Sequence, residues 1–179
     1  DAKANYYKSL DLEEAIHHPQ HRARILISLG SLLAKHGDSS GAQRCHSEAV
    51  DLAAEVGDRL RRASALLELA TDLRIEGNAQ QARARLLQAT PVALTHGERP
   101  LLMRCLLELA RVEILRGNEE GARRLAAALA SVELGPLRDA YRAFVDDLCC
   151  PPLPANDQYT PEAAAREIVE QAELEALRL

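Results

Sequence analysis

The sequence has no Trp, one Phe and four Tyr, so aromatics are only 3% of 179 residues. A core built from it must be aliphatic, and aromatic platforms for stacking bases are missing. No apolar run reaches the roughly 18 residues that span a bilayer. No basic-then-apolar start marks a secretion signal. Acidic residues outnumber basic ones, and the formal charge of −5 argues against a nucleic-acid surface. The four Cys, at 45, 105, 149 and 150, are not spaced as a disulfide framework. They read as reduced thiols, and the expectation is a cytoplasmic protein. There is no Ser-His-Asp set, no HExxH, no phosphate loop and no productive cluster of carboxylates. This predicts a chain that is not an enzyme and needs no cofactor or metal.

What is present is a period. Gly37-Asp38 is followed by Gly77-Asn78 at 77−37 = 40 residues and by Gly117-Asn118 at 117−77 = 40. A fixed spacing of this size marks stacked repeats. Leu26, Leu66 and Leu106 share one phase, and Leu29, Leu69 and Leu109 another. Gly30, Ala70 and Ala110 form a small-residue column, and so do Ala42, Ala82 and Ala122. A second turn recurs as Gly57-Asp58-Arg59 and Gly97-Glu98-Arg99. Two turns per period imply two helices. Gly after a helical run supplies the left-handed residue that ends a helix, and the Asp or Asn behind it can cap the next. The stretches between turns are rich in Ala, Leu, Glu and Arg, which favour helix. One such hairpin cannot bury its apolar face alone, so neighbours must stack.

In chain order, residues 2–16 read as the second helix of a repeat whose first helix is missing, so the chain looks like part of a longer array. His17, His18 and His21 surround Pro19 and read as solvated turn histidines, not metal ligands. Helices are expected at about 21–36, 40–56, 59–76, 79–96, 99–116 and 119–133. Arg59, Arg61 and Arg62 open one of them and read as a solvated outer face. After Leu134 the period slips. Residues 1–150 form the repeat array. Residues 151–160 are a proline-stiffened linker that follows Cys149-Cys150. Residues 161–179 form a last helix, with Thr160 as N-cap and Pro161 at the first helical position. It is expected to cap the last repeat. The fold class is all-α: a right-handed α-solenoid of antiparallel helix pairs with a C-terminal capping helix.

The columns resemble the tetratricopeptide repeat. The repeat around Gly37 reads Leu26, Leu29, Gly30, Leu33, Gly37, Ala42, His46, Ala49. The next reads Leu66, Leu69, Ala70, Leu73, Gly77, Ala82, Leu86, Ala89. The third reads Leu106, Leu109, Ala110, Glu113, Gly117, Ala122, Ala126, Leu129, and departs from the pattern at Glu113 and Leu129. The family's usual period is 34, so 40 means longer helices. They are similar to the long repeats in bacterial signal-transduction ATPases and maltose-regulator-type transcriptional regulators. The resemblance covers residues 2–133 and implies a scaffold or sensor that binds proteins or peptides.

In such an array the first helix of each pair lines the concave face. By phase, the groove residues are Arg24, Ser64 and Arg104; Ile27, Leu67 and Leu107; Ser31, Thr71 and Arg111; and Ala34, Arg74 and Ile114. This is an apolar row flanked by hydroxyls and arginines. Guanidinium forks suit carboxylates. The expected occupant is an extended peptide or partner helix with acidic groups. In the alternative, the arginines pair with Glu68 and Glu108 and bind nothing. Two rival readings are self-association into a homo-oligomer and a regulatory domain attached to an enzyme outside this stretch. No membrane contact and no direct nucleic-acid binding are expected.

Overall fold

The computed structural model describes Lys8 and residues 18–130, 137–146 and 160–176. The expected first helix, apart from Lys8, and the linker with Cys149 and Cys150 lie outside these residues. Among the described residues there are eight α-helices and no strand. Helices α1 (Pro19–Lys35), α2 (Ser39–Glu55), α3 (Arg59–Ile75), α4 (Ala79–Thr95) and α5 (Arg99–Leu115) are each 17 residues long. They are rods of about 25 Å. Helices α6 (Glu119–Ala130), α7 (Arg138–Asp146) and α8 (Pro161–Ala176) are shorter.

One turn chemistry joins the first six helices. Gly37, Gly57, Gly77, Gly97 and Gly117 all have φ between 67° and 83°, which a side chain resists. At Gly37 the glycine N–H donates to Ala34 O and the next N–H, of Asp38, donates to Leu33 O. The same pair of bonds recurs at the other four glycines. This is the Schellman closure of a helix. The residue that completes it then starts the next helix. Asp38 and Asp58 cap by accepting from Gly41 N and Arg61 N, each at 2.9 Å, and Asn118 accepts from Gly121 N at 3.1 Å. Asn78 and Glu98 make no such cap. A three-residue connection leaves no room for anything but an antiparallel hairpin.

Within the first six helices each packs on the next in sequence, and the odd-numbered ones also touch one another, α1 on α3 and α3 on α5. The stack therefore curves with the odd helices on its inner side. It is an all-α solenoid. The core runs through the stack as leucine and alanine columns: Leu26, Leu66 and Leu106 with Ala42, Ala82 and Ala122 are all buried. The small-residue column works as close contact. A Cβ on Gly30 would lie 2.4 Å from the His46 ring. Where Ala70 and Ala110 replace that glycine, the facing residues are Leu86 and Ala126.

One expectation changes and one is extended. The departure at Glu113 is not a packing fault. Its carboxylate is buried but accepts from Arg83 at 3.1 Å, from Arg116 at 2.8 Å and from Asn118 at 2.7 Å. The last helix docks on the final repeat, as expected, and also reaches the helix before it. Helix α8 lies across α4, α5 and α6, with Pro161, Ala164 and Ala165 buried against the stack. Small side chains let it settle between two outer helices. Thr160 caps it through Ala163 N at 3.2 Å.

Candidate functional site: the inner wall

The inner wall is made by α1, α3 and α5. Three of its columns carry the polar chemistry: Arg24, Ser64, Arg104; Ser28, Glu68, Glu108; and Ser31, Thr71, Arg111. The structure splits them into two unlike halves.

Between α3 and α5 the wall is cross-linked. Arg104 Nη2 donates to Glu68. Arg74 Nε donates to Glu108 at 2.7 Å, and Arg111 donates to the other oxygen of the same carboxylate. Arg111 also donates to the backbone oxygen of Ala140 on α7, at 3.2 Å. Helix α7 is held there by Phe144, which is buried, and by the Tyr141 hydroxyl, which donates to Ala126 O at 3.1 Å. Burial pushes the Tyr141 phenol up, so it stays a donor well into the alkaline range. Arg74, Arg104 and Arg111 therefore already hold carboxylates of this chain.

Between α1 and α3 the same positions carry no such links. Ser28 stands where Glu68 and Glu108 stand, and Ser64 where Arg104 stands. Ser28 donates to Arg24 O at 3.2 Å, Ser31 to Ile27 O at 3.0 Å, Ser64 to Leu60 O at 3.1 Å and Thr71 to Leu67 O at 3.0 Å. Each hydroxyl spends its only proton on its own helix, four residues back. Its lone pairs remain to accept from another molecule. Arg24 is exposed, and its guanidinium has no partner among the described residues.

The expected apolar row is not continuous. Leu67 is 0% exposed and Leu107 3%; both belong to the core, because adjacent inner helices close over that column. Ile27 remains half-buried, since no inner helix precedes α1 among the described residues. The large apolar side chains that are exposed lie elsewhere, at the ends of α3 and α5: Ile75 at 62% and Leu115 at 52%.

Two further features were not anticipated. A buried pair joins the first repeat to the second: His46 Nδ1 lies 2.6 Å from Asp72 Oδ2, and its Nε2 lies 3.3 Å from Ile27 O. Asp72 stands out only as a carboxylate in a column otherwise filled by Leu32 and Val112. On the outer side, a cleft of about 360 Å³ opens where α8 leans over the α5–α6 turn. Arg83, Glu113, Arg116 and Asn118 line it, with Glu167 and Ile168 of α8. No group of three or more His, Cys, Asp or Glu placed to hold a metal occurs among the described residues. Comparison of the chain with protein-family models, with curated proteins and with solved structures gives no match.

Proposed function

We propose that the chain is a non-catalytic binding module, a scaffold or sensor segment of a larger signalling or transcription regulator of the tetratricopeptide kind. It holds an extended peptide or partner with acidic groups against the inner wall. The observation that supports this is the contrast within that wall. The α3–α5 half has neutralised its arginines internally, while the α1–α3 half keeps Arg24 unpartnered beside outward-facing hydroxyl acceptors. A peptide laid there has donors in its backbone N–H groups for Ser28, Ser31, Ser64 and Thr71. Its carboxylate suits Arg24, whose planar fork binds such a group with two hydrogen bonds.

The test is selection from a displayed peptide library on the folded chain, with the winners rebound to Arg24→Glu. Acidic winners that lose roughly tenfold or more in affinity to Arg24→Glu, yet still bind Arg104→Ser, support the reading. Winners indifferent to Arg24→Glu rule it out.

A further inference from the structure

Helix α8 reveals a second docking position by occupying the first. It lies in the outer groove on α4, α5 and α6. Glu162 in its first turn pairs with Arg99 at the start of α5, at 3.4 Å, and Glu167 pairs with Arg124 on α6, at 3.6 Å. Moving back one period of 40 residues brings the same arrangement of helices: α2, α3 and α4. Arg59 stands in the place of Arg99, Leu69 in that of Leu109 and Asn78 in that of Asn118.

On this earlier face two polar groups wait without partners. Arg59 is exposed, and its guanidinium makes no ion pair or hydrogen bond among the described residues. It also sits in the first turn of α3, where the helix dipole disfavours a cation and the capping Asp58 carboxylate is engaged by the N–H and Nε of Arg61. Gln43 occupies the place of Arg83, beside which Glu167 of α8 lines the cleft. The Gln43 side-chain nitrogen is buried and has no acceptor, because Leu73 stands where Glu113 accepts from Arg83. A buried donor without an acceptor is uncommon and calls for one.

We infer that the α2–α3–α4 face binds a helix from a partner protein with the chemistry of α8: an acidic first turn, alanines in the next, and a second carboxylate one to two turns in. The first carboxylate meets Arg59 as Glu162 meets Arg99. The second lies beside Gln43, whose buried nitrogen donates to it once the amide turns outward. Small residues between them allow close approach over α2 and α4. This site lies on the opposite side of the stack from Arg24 and does not depend on the reading of the inner wall.

The probe is a peptide with the sequence of residues 160–176, added to the isotopically labelled full chain, whose own α8 stays in place. The expected result is saturable, salt-sensitive binding with amide shifts concentrated on α2 and the start of α3. Arg59→Glu should weaken it by roughly threefold to tenfold. Arg59→Glu also suits the α3 N-terminus, so loss of folding will not mimic the effect. Gln43→Leu should weaken it too, while Arg99→Glu and Arg24→Glu leave it unchanged. Shifts on α4 and α6 that vanish with Arg99→Glu would mean the peptide merely displaces α8, and would overturn the inference. So would the absence of saturable binding, or binding indifferent to Arg59→Glu.

Discussion

The two halves of the inner wall share a backbone plan and differ in what crosses between helices. From α3 to α5 the links are charged: Glu68 with Arg104, and Glu108, which Arg111 of its own helix also holds, with Arg74. From the first repeat to the second the link is deeper. It is the His46–Asp72 pair, both side chains at 5% exposure or less, while the wall above it carries hydroxyls. Strength and availability have thus been separated. One half ties its charges to each other and has none to offer. The other fastens itself underneath and leaves its surface groups without links across the helices.

The sharpest way to break this comparison is to cut the deep link. Asp72→Ala leaves the His46 ring facing a hole where its acceptor stood. It should cost about 2–3 kcal/mol, read by chemical denaturation. Gly30→Ala should cost about 1–3 kcal/mol, since the new methyl meets the imidazole itself and not a flexible chain end. The triple variant Gly30→Ala, His46→Leu, Asp72→Val gives the junction of the first and second repeats the residues found one period later: Ala70, Leu86 and Val112. It should recover most of what the single changes lose, a non-additivity expected of residues in mutual contact. If the triple variant is as unstable as the sum of its parts, the pair is not the device that fits the first repeat to the second.

The cysteines compare the halves without disturbing them. Cys45, on α2, is half-buried; burial and then Glu48 raise its pKa. Cys105, on α5, is fully buried, and burial pushes its thiol up to about 12. At pH 8 neither is a ready nucleophile, and Cys105 should label only when α5 leaves the stack. Alkylation followed by mass spectrometry should find Cys45 modified well ahead of Cys105. The same burial sets a pH dependence. Unfolded, Cys105 ionises near 9; folded, it holds its proton to about 12. The unfolded chain therefore releases a proton first. Stability falls as pH rises through this window and is intact below it. Replacing Cys105 with Ala should flatten the wild-type curve between pH 9 and 12; equal slopes for the two proteins would contradict the burial.

The architecture was legible because it is written locally. Five glycines at intervals of 20 residues each need a positive φ, and nothing downstream can hide that requirement. The leucine columns follow from 3.6 residues per turn. The wall was read less well. Phase correctly put Arg74, Arg104 and Arg111 on the inner helices, and pairing with Glu68 and Glu108 was one of two readings open. Phase also put Leu67 and Leu107 on the groove surface, where they are not. How far neighbouring helices close over a column depends on the spacing between repeats, and a single helix's pattern does not contain that distance. His46 with Asp72 was invisible for a similar reason. The two are 26 residues apart, on helices of different repeats, and only the stack brings them to 2.6 Å. The place of α8 depends on a long connection and could not be phased from the repeat.

The gentlest test makes one half of the wall like the other. Ser28→Glu with Ser64→Arg copies the Glu68–Arg104 pair into the α1–α3 junction, at positions one period earlier. Both sites are half-exposed, so the new pair should add less than about 1 kcal/mol of stability, and less again in high salt. Its effect on binding should be far larger than its effect on folding. The new carboxylate at 28 lies one helical turn from Arg24, close enough to pair with it, and two hydroxyl acceptors are gone. Affinity for an acidic peptide should therefore fall with hardly any change in unfolding midpoint. If affinity is instead preserved, the hydroxyls and the unpartnered arginine are not what the wall uses, and the contrast between its halves concerns stability alone.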